Sequence, residues 1–330
     1  MNKIGVIGAG SWGTALAVTL SNKGHSVRIW DIDKIHIREL RENKENVRYL
    51  PGVKFCDRLV PADTVEEALA GADTVLFSAP AQHFRSALES AASYINEDMI
   101  IVNVAKGIEQ KTLMRMSEIT KEMGQYKKYA VLSGPSHAEE VGRAMPTTVV
   151  AASENHDVAV AVQEMFSTDF LRVYTGTDVT GVELGGALKN IIALGAGISD
   201  GLGFGDNAKA AMMTRGIAEM KRLGVKMGAD VNTFAGLTGI GDLIVTCTSM
   251  HSRNRRCGIM IGEGMAPEEA VKNVGMVVEG MFTAEAAYEL AYRLGVEMPI
   301  TNEIYKLIKG QITGKEAVMN LMGRERKPED

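Results

Sequence analysis

The sequence contains few aromatic, cysteine and proline residues. Among its 330 residues there are 8 prolines and 3 cysteines, and aromatic side chains make up 5 %. So few aromatic residues argue against a binding groove walled by rings, whereas 35 glycines indicate close backbone packing and loops that approach a ligand. The three cysteines form no CxxC pair, so we expect no disulfide framework and predict a protein of the reducing cytoplasm.

Positive charge and long apolar runs are also scarce. Lys and Arg number 36 against 41 Asp and Glu, a net charge of −5, so nothing in the overall charge would attract a nucleic acid or an acidic membrane. The longest apolar run, residues 191–198, is far shorter than the ~20 residues that cross a bilayer, and the N-terminal segment does not resemble a signal peptide. The histidines show no HxxxH or HExxH spacing. We therefore predict no nucleic-acid binding, no membrane insertion, no export and no metal site.

The chain has two parts that differ in their sequence periodicity. Short β-branched runs alternate with helical stretches up to about residue 175, at residues 4–7, 27–30, 74–78, 100–104, 130–132, 147–151 and 171–174. This alternation predicts an α/β domain with a doubly wound, mostly parallel, Rossmann-like sheet over residues 1–180. Beyond it, apolar residues recur at helical spacing, which predicts an all-helical domain over residues 181–330.

A glycine motif follows the first predicted strand. Residues 8–13 read GAGSWG, so Gly8, Gly10 and Gly13 form the GxGxxG pattern at the start of the first predicted helix. Gly8 permits a tight turn, Gly10 lets the backbone approach a pyrophosphate, and Gly13 lets the helix pack on the sheet. The second strand ends at Asp31, whose carboxylate can accept hydrogen bonds from a ribose and repel a 2′-phosphate. The sequence therefore predicts a site for NAD or NADP, with NAD favoured.

Four further segments carry residues suited to catalysis or phosphate binding. Lys189 interrupts the apolar stripe of the helix that begins near residue 184, at the rim of the buried face, where desolvation could lower the pKa of its amine toward a catalytic range. Periodicity alone favours the alternative, a lysine whose amine reaches the surface. Residues 252–256 read SRNRR, the only dense basic run, in which arginine forks beside serine and asparagine suit a phosphate dianion, although a solvated loop is the ordinary alternative. Lys106 and the SGPS segment at residues 133–136 follow predicted strands, at the edge where open α/β sheets bind ligands.

Taken together, these motifs resemble those of the bacterial-type NAD(P)-dependent glycerol-3-phosphate dehydrogenases. The resemblance runs from about residue 3 to residue 325 and includes GAGSWGTA at 8–15, SGPS at 133–136, GGALKN at 185–190, GIGDL at 239–243, SRNRR at 252–256 and VVEG at 277–280. It implies reversible hydride transfer between NAD(P)H and dihydroxyacetone phosphate. The product would be sn-glycerol 3-phosphate, a precursor for glycerophospholipids, and the chain could form a homodimer.

The resemblance also implies a role for individual residues. Lys189 would be the catalytic acid and base, assisted by Lys106. The cofactor would contact Ser11, Trp12, Lys106, Ala138, Arg253, Val277 and Glu279. The substrate would contact Lys106, Gly134, Ser136, Lys189, Asp242, Ser252, Arg253 and Asn254. Related sequences vary at the strand end that carries Asp31, so the choice between NAD and NADP stays open at this stage.

Two alternatives remain from the residues alone. The chain could be another Rossmann-type dehydrogenase with a helical C-terminal domain, whose substrate is a small hydroxyacid that carries a carboxylate in place of a phosphate. It could also be a non-catalytic NAD(H) sensor, although that function would leave Lys189 and the basic run without a role.

Overall fold

In the computed structural model, which describes residues 1–124, 126–326 and 328–329, eight strands form one sheet. The strands are β1 (Lys3–Ile7), β2 (Ser26–Trp30), β3 (Leu59–Pro61), β4 (Thr74–Phe77), β5 (Ile100–Asn103), β6 (Tyr129–Ser133), β7 (Thr147–Ala152) and β8 (Leu171–Gly176). Their order across the sheet is β3-β2-β1-β4-β5-β6-β7-β8. Neighbouring strands are parallel except β6 and β7, which are antiparallel.

Seven helices accompany the strands, and eight more follow the sheet within the described residues. The first set is α1 (Ser11–Asn22), α2 (Lys34–Asn43), α3 (Val65–Leu69), α4 (Phe84–Ala91), α5 (Met116–Met123), α6 (Ala138–Gly142) and α7 (His156–Phe166). The second set is α8 (Val179–Gly201), α9 (Gly205–Lys226), α10 (Asp242–Thr248), α11 (Arg253–Gly262), α12 (Pro267–Val274), α13 (Glu279–Leu294), α14 (Pro299–Ile308) and α15 (Gly314–Met322). Short helical turns occur at Ala81–His83, Ala92–Tyr94, Val231–Ala235 and Leu237–Gly241.

The sheet is covered on both faces, as its sequence pattern predicts. Parallel strands that are buried on both sides are rich in β-branched residues, and all four residues of β4 are buried. One apolar core lies under α1, α2, α6 and α7, and another lies under α3, α4 and α5. The predicted α/β class is therefore confirmed, and each of the seven predicted strand runs corresponds to an observed strand.

One strand of the sheet, β3, is not predicted by the sequence pattern. β3 has only three residues and ends in a proline, so it offers too little alternation to be recognised from its sequence. The sheet ends at Gly176 and α8 begins at Val179. The division of the chain into domains at residues 180 and 181 stays a prediction.

Helix α8 is the centre of the helical part. It is long and apolar enough to cross a membrane by composition, but it is buried along its length among α9, α10, α11, α13 and α14. Glycines allow α11 to approach it closely, because a Cβ atom at Gly197 would overlap the backbone carbonyl oxygen of Arg255. Most of the glycines that the sequence concentrates after residue 194 thus serve helix packing. This packing positions the first turn of α11 beside the carboxyl ends of the strands.

Candidate active site

A cavity of about 720 Å³ lies at the carboxyl ends of the strands, between the sheet and the helical part. Every residue that the sequence analysis assigned to a site lines this cavity, except Gly13 and Gly134. The residues concerned are Gly8, Gly10, Ser11, Trp12, Asp31, Lys106, Ser136, Ala138, Lys189, Asp242, Ser252, Arg253, Asn254, Val277 and Glu279. The fold therefore brings residues from both halves of the sequence to one place, while the role of each stays a prediction.

The glycine motif forms the turn between β1 and α1. Gly8 has a φ of 109°, a conformation that favours glycine. A Cβ atom at Gly13 would overlap the carbonyl oxygen of Gly8, so this glycine lets α1 pack against the turn. A Cβ atom at Gly10 would meet nothing within 4 Å, and no side chain caps the first turn of α1. The N–H groups of that turn are thus available to an anion.

Five buried polar atoms of described residues in the cavity wall lack a hydrogen-bond partner. They are Nε1 of Trp12, Oε2 of Glu279, Nδ1 of His36, Nε2 of His137 and Nε of Arg256. The other carboxylate oxygen of Glu279 accepts a hydrogen bond of 3.0 Å from the backbone N–H of Ala81. Burial raises the pKa of Glu279 above its ordinary value. These unpartnered atoms, with the uncapped turn, fit a cofactor that carries a pyrophosphate and an amide, as NAD and NADP do.

Asp31 occupies the predicted position but is already engaged with the backbone. One carboxylate oxygen accepts from the N–H of Ala9 at 2.8 Å, and the other accepts from the N–H of Asp33 at 3.1 Å. Each oxygen retains a second lone pair for a ribose hydroxyl. Asp33 caps the N-terminus of α2 and forms an ion pair with Arg48. Asp31 therefore also stabilises the glycine turn, a role the sequence analysis did not predict.

The lysine pair is held by one buried carboxylate. Lys189 Nζ lies 2.6 Å from Oδ1 of Asp242, and Lys106 Nζ lies 2.6 Å from Oδ2 of the same residue. Lys189 also donates to Oγ1 of Thr246 at 2.7 Å, and Lys106 donates to the carbonyl oxygen of Gly134 at 2.9 Å. The side chain of Lys189 is only 7 % exposed. The expectation from periodicity that this lysine reaches the surface is therefore wrong, because α10 covers it.

This environment changes the proton affinity of the groups involved. Burial lowers the pKa of Lys189 to about 8; the carboxylate of Asp242 opposes this shift and the ammonium of Lys106 adds to it. Burial alone would raise the pKa of Asp242, but the two ammonium groups hold it below its ordinary value. Burial raises the pKa of the nearby Cys247 thiol to about 12, so this cysteine is a poor nucleophile.

The basic run divides into residues that face the cavity and one that does not. Arg253 and Arg256 line the cavity, whereas Arg255 forms an ion pair of 2.8 Å with Asp200 outside it. Arg253 is half-buried, and none of the ion pairs among the described residues includes it, although the charges of Glu279 and Glu139 act on its guanidinium from a greater distance. Burial lowers its pKa, yet an arginine guanidinium remains charged in proteins. Arg253 is thus a half-buried cation available to an anionic ligand.

Ser252 and Asn254 also have structural partners. Ser252 caps α11, its hydroxyl accepting from the N–H of Arg255 at 3.2 Å. The amide of Asn254 donates to Oδ1 of Asn190 at 2.9 Å and accepts from the N–H of Gly280 at 2.8 Å. Both side chains remain in the cavity wall. One N–H of Asn254 is left for a ligand.

Several cavity residues escaped the sequence analysis. Thr246 could have been found, because it lies four residues after Asp242 and so on the same face of α10. His36, which contacts the carbonyl oxygen of Ala9 at 3.1 Å, and Tyr49 carry no motif that could reveal them. Across the described part of the chain, no three His, Cys, Asp or Glu side chains come together as a metal ion would require.

Comparison with known proteins gives consistent matches over nearly the whole chain. The family model for the NAD-dependent glycerol-3-phosphate dehydrogenase N-terminus matches residues 3–159, and the model for the C-terminus matches residues 178–319. A glycerol-3-phosphate dehydrogenase (NAD(P)+) from Clostridium perfringens (strain SM101 / Type A) is 49 % identical over 330 residues, with 100 % of each chain covered. One from Bacillus mycoides (strain KBAB4) is 52 % identical over 332 residues, covering 100 % of this chain and 98 % of the relative.

Solved structures agree with the sequence matches. The crystal structure of a glycerol-3-phosphate dehydrogenase from Coxiella burnetii superposes with a TM-score of 0.94 at 38 % identity, covering 98 % of this chain and 99 % of that one. A D-mandelate dehydrogenase with NADH has a TM-score of 0.66 at 14 % identity and covers 96 % of this chain and 99 % of its own. That second likeness shows the fold alone.

Proposed function

The chain belongs to the NAD-dependent glycerol-3-phosphate dehydrogenase family, and we propose from this membership that it interconverts dihydroxyacetone phosphate and sn-glycerol 3-phosphate. It is an NAD(P)-dependent oxidoreductase that acts on a CH–OH group. The observation that supports the proposal best is the pair of lysines on Asp242, in the same cavity as the glycine turn. When bound, the nicotinamide cofactor supplies or accepts the hydride.

Lys189 is the acid and base of the proposed reaction. Reduction of a ketone leaves negative charge on the substrate oxygen, and a protonated Lys189 donates the proton that neutralises it. In the oxidative direction the neutral amine accepts that proton. A lysine whose pKa is lowered to about 8 can exist in both forms near neutral pH, which suits a reversible reaction.

Lys106 and Asp242 support this proton transfer. The ammonium of Lys106 polarises the substrate carbonyl and stabilises the negative charge that develops on its oxygen. Asp242 forms an ion pair with each lysine, and its side chain is buried. The two ammonium groups, and not water, therefore fix the orientation of its carboxylate. Thr246 fixes the position of the Lys189 ammonium from the next turn of α10.

The substrate phosphate binds at the first turn of α11 in this proposal. Arg253 supplies a half-buried guanidinium that forms no ion pair within the described residues, and the free N–H of Asn254 adds a second donor. Charge-assisted hydrogen bonds of this kind suit a phosphate dianion. Binding energy from the phosphate, which is remote from the reacting carbon, then positions the ketone beside Lys189.

NAD is the proposed cofactor of choice. Asp31 and Asp33 both line the cavity at the end of β2, where a 2′-phosphate of NADP would add negative charge. Arg48 could attract such a phosphate, but it is paired with Asp33. Repulsion by two carboxylates therefore favours NAD.

Location and assembly also remain proposals. The three cysteines are unpaired, which supports a reducing cytoplasm. We keep the homodimer as the proposed assembly, and sedimentation equilibrium at several protein concentrations tests it.

The decisive experiment follows NADH and NADPH oxidation at 340 nm with dihydroxyacetone phosphate, unphosphorylated dihydroxyacetone and a panel of small 2-ketoacids. The proposal requires turnover with dihydroxyacetone phosphate, a much lower kcat/KM without the phosphate, and higher kcat/KM with NADH than with NADPH. Faster reduction of a 2-ketoacid would make the chain a hydroxyacid dehydrogenase. NADH binding without any turnover would favour the sensor.

A further inference from the structure

Two histidines from opposite sides of the cavity meet near its lysine pair. The rings of His137 and His251 lie with their centroids 5.6 Å apart and their planes inclined by 52°. His137 ends the loop between β6 and α6, and His251 lies in the loop between α10 and α11. Both side chains line the cavity. The contact therefore joins the sheet to the helical part directly beside the site.

Each histidine is the neighbour of residues assigned to the substrate. His137 follows Ser136, whose hydroxyl lies 3.4 Å from the Lys106 ammonium. His251 precedes Ser252 and Arg253, and its backbone N–H donates to Oγ of Ser249 at 3.1 Å within its own loop. A movement of either ring thus carries a substrate-binding segment with it.

The His137 ring is half-buried beside α10. Its Nε2 atom is buried and has no hydrogen-bond partner within the described residues. Burial lowers the pKa of His137, the ammonium of Lys189 lowers it further, and the carboxylates of Glu139 and Glu140 oppose the shift. The ring is therefore neutral at neutral pH, and a neutral ring can pack against His251 without electrostatic repulsion.

We propose that His137 and His251 are positioning residues whose ring contact sets the distance between the Ser136 loop and the Ser252–Arg253 turn, and thereby the affinity for the phosphorylated substrate. This proposal rests on the proposed function. Neither ring takes part in proton transfer; both act through the segments they hold. Loss of the contact leaves Lys189 in place but lets the two sides of the substrate site separate.

Loss of the ring contact should weaken binding of the substrate, and removal of either histidine should have this effect. A ring contact of this kind corresponds to a change of about three- to ten-fold in an equilibrium constant. We expect His137→Ala and His251→Ala each to raise KM for dihydroxyacetone phosphate by about that factor. KM for NADH and kcat should change less than two-fold. Because both substitutions remove the same contact, the double variant should be no worse than the worse single variant.

The experiment compares wild type, the two single variants and the double variant by steady-state kinetics, with a thermal melt of each. His137→Phe and His251→Phe keep a ring and should restore KM to within about two-fold of wild type, which separates the contact from a general loss of folding. His156→Ala, at an exposed position at the start of α7, is the matched control and should change nothing.

Three results would overturn the inference: an unchanged KM in both alanine variants, a double variant whose effects multiply, or losses confined to kcat. Wild-type turnover of dihydroxyacetone phosphate in the same assay reports on the proposed function separately. If wild type is active and the variants behave like it, the proposed role of the contact between His137 and His251 is wrong, while the proposed function stands.

Discussion

At the scale of single residues, the chemistry of the site depends on the pairing of one carboxylate, that of Asp242, with the ammonium groups of two lysines. One carboxylate cannot neutralise two ammonium groups, so this buried cluster carries a net positive charge. The excess favours a substrate that brings or develops negative charge at this point. It also disfavours protonation of Lys189, which is why Lys106 acts with burial to lower its pKa.

Replacing Lys189 by alanine removes the proton donor without touching the glycine turn. We expect kcat for dihydroxyacetone phosphate reduction to fall by about 10²-fold or more, the usual loss for a general acid, while the Kd for NADH stays within about two-fold. Stopped-flow turnover and NADH fluorescence titration measure the two quantities. Near-normal turnover would remove Lys189 from the mechanism.

The lowered pKa of Lys189 makes the two directions of the reaction respond oppositely to pH. Oxidation of sn-glycerol 3-phosphate needs the neutral amine, so its kcat/KM should rise as pH increases through about 8 and then level off. Reduction needs the ammonium, so its kcat/KM should fall over the same range. Asp242→Asn removes the carboxylate that raises the pKa of Lys189. In this variant the pH at which kcat/KM changes should therefore be lower in both directions. Parallel profiles in the two directions would contradict this assignment.

Asp31→Asn tests cofactor choice more cleanly than removal of the side chain. The amide oxygen can still accept from the backbone of the glycine turn, but the negative charge that opposes a 2′-phosphate is lost. We expect the ratio of kcat/KM for NADH to that for NADPH to fall by about ten-fold, mainly through a lower KM for NADPH, since removing one like charge is worth about 1.4 kcal/mol here. An unchanged ratio would make Asp31 a purely structural residue.

At the scale of secondary-structure elements, the contact between α8 and α11 controls where Arg253 lies. Gly197→Ala would force a methyl group into the backbone of α11. We expect a net loss of about 1–3 kcal/mol in the free energy of unfolding, despite the better helix propensity of alanine, and a raised KM for dihydroxyacetone phosphate. Urea denaturation and kinetics provide the measurements.

Gly176→Ala is the matched control for this substitution. A Cβ atom there would lie 3.4 Å from Cγ1 of Val150, an ordinary contact. We expect its stability and KM to stay close to wild type. Equal stability of the Gly197 and Gly176 variants would show that α11 can shift without cost.

At the scale of the whole molecule, a buried ion pair ties the sheet side to α8. Oε2 of Glu183 accepts from Arg115 at 2.8 Å and from the hydroxyl of Ser117 at 2.6 Å, and Oε1 accepts from the hydroxyl of Tyr129 at 2.7 Å. Both members of the ion pair are largely buried, the Glu183 side chain being 3 % exposed. This network fixes the start of α8, which carries Lys189, against β6 and α5.

Glu183→Ala removes the buried acceptor of Arg115 and of the Ser117 and Tyr129 hydroxyl groups, while Arg115 keeps its ion pair with Glu118. Breaking a buried pair costs about 3–5 kcal/mol when the remaining charge is uncompensated, and because Glu118 still compensates Arg115 we expect a loss of about 2–4 kcal/mol in the free energy of unfolding. Chemical denaturation measures it. Glu154→Ala, which breaks an exposed pair with Lys121, is the control and should cost under about 1 kcal/mol. Similar losses in the two variants would contradict a special role for the buried pair.

The sequence by itself determined those features whose cause is local. Strands of four or more residues, the GxGxxG turn and the change to helical periodicity near residue 180 are recognisable because each depends on near neighbours in the chain. Even the cavity could be located, since the carboxyl ends of parallel strands meet at one edge of the sheet. The three-residue strand β3 was missed because so short a run carries no periodicity.

Only the tertiary structure decided the state of the site residues. Periodicity placed Lys189 at a rim that reaches solvent, whereas α10 buries it against an aspartate 53 positions further along the chain. Three other features also depend on tertiary structure alone. They are the hydrogen bonds of Asp31 with the glycine turn, the ion pair that keeps Arg255 of the basic run outside the cavity, and the contact between His137 and His251. Burial, ion pairing and pKa depend on which distant segments pack together, and packing across such separations leaves no local pattern in the sequence.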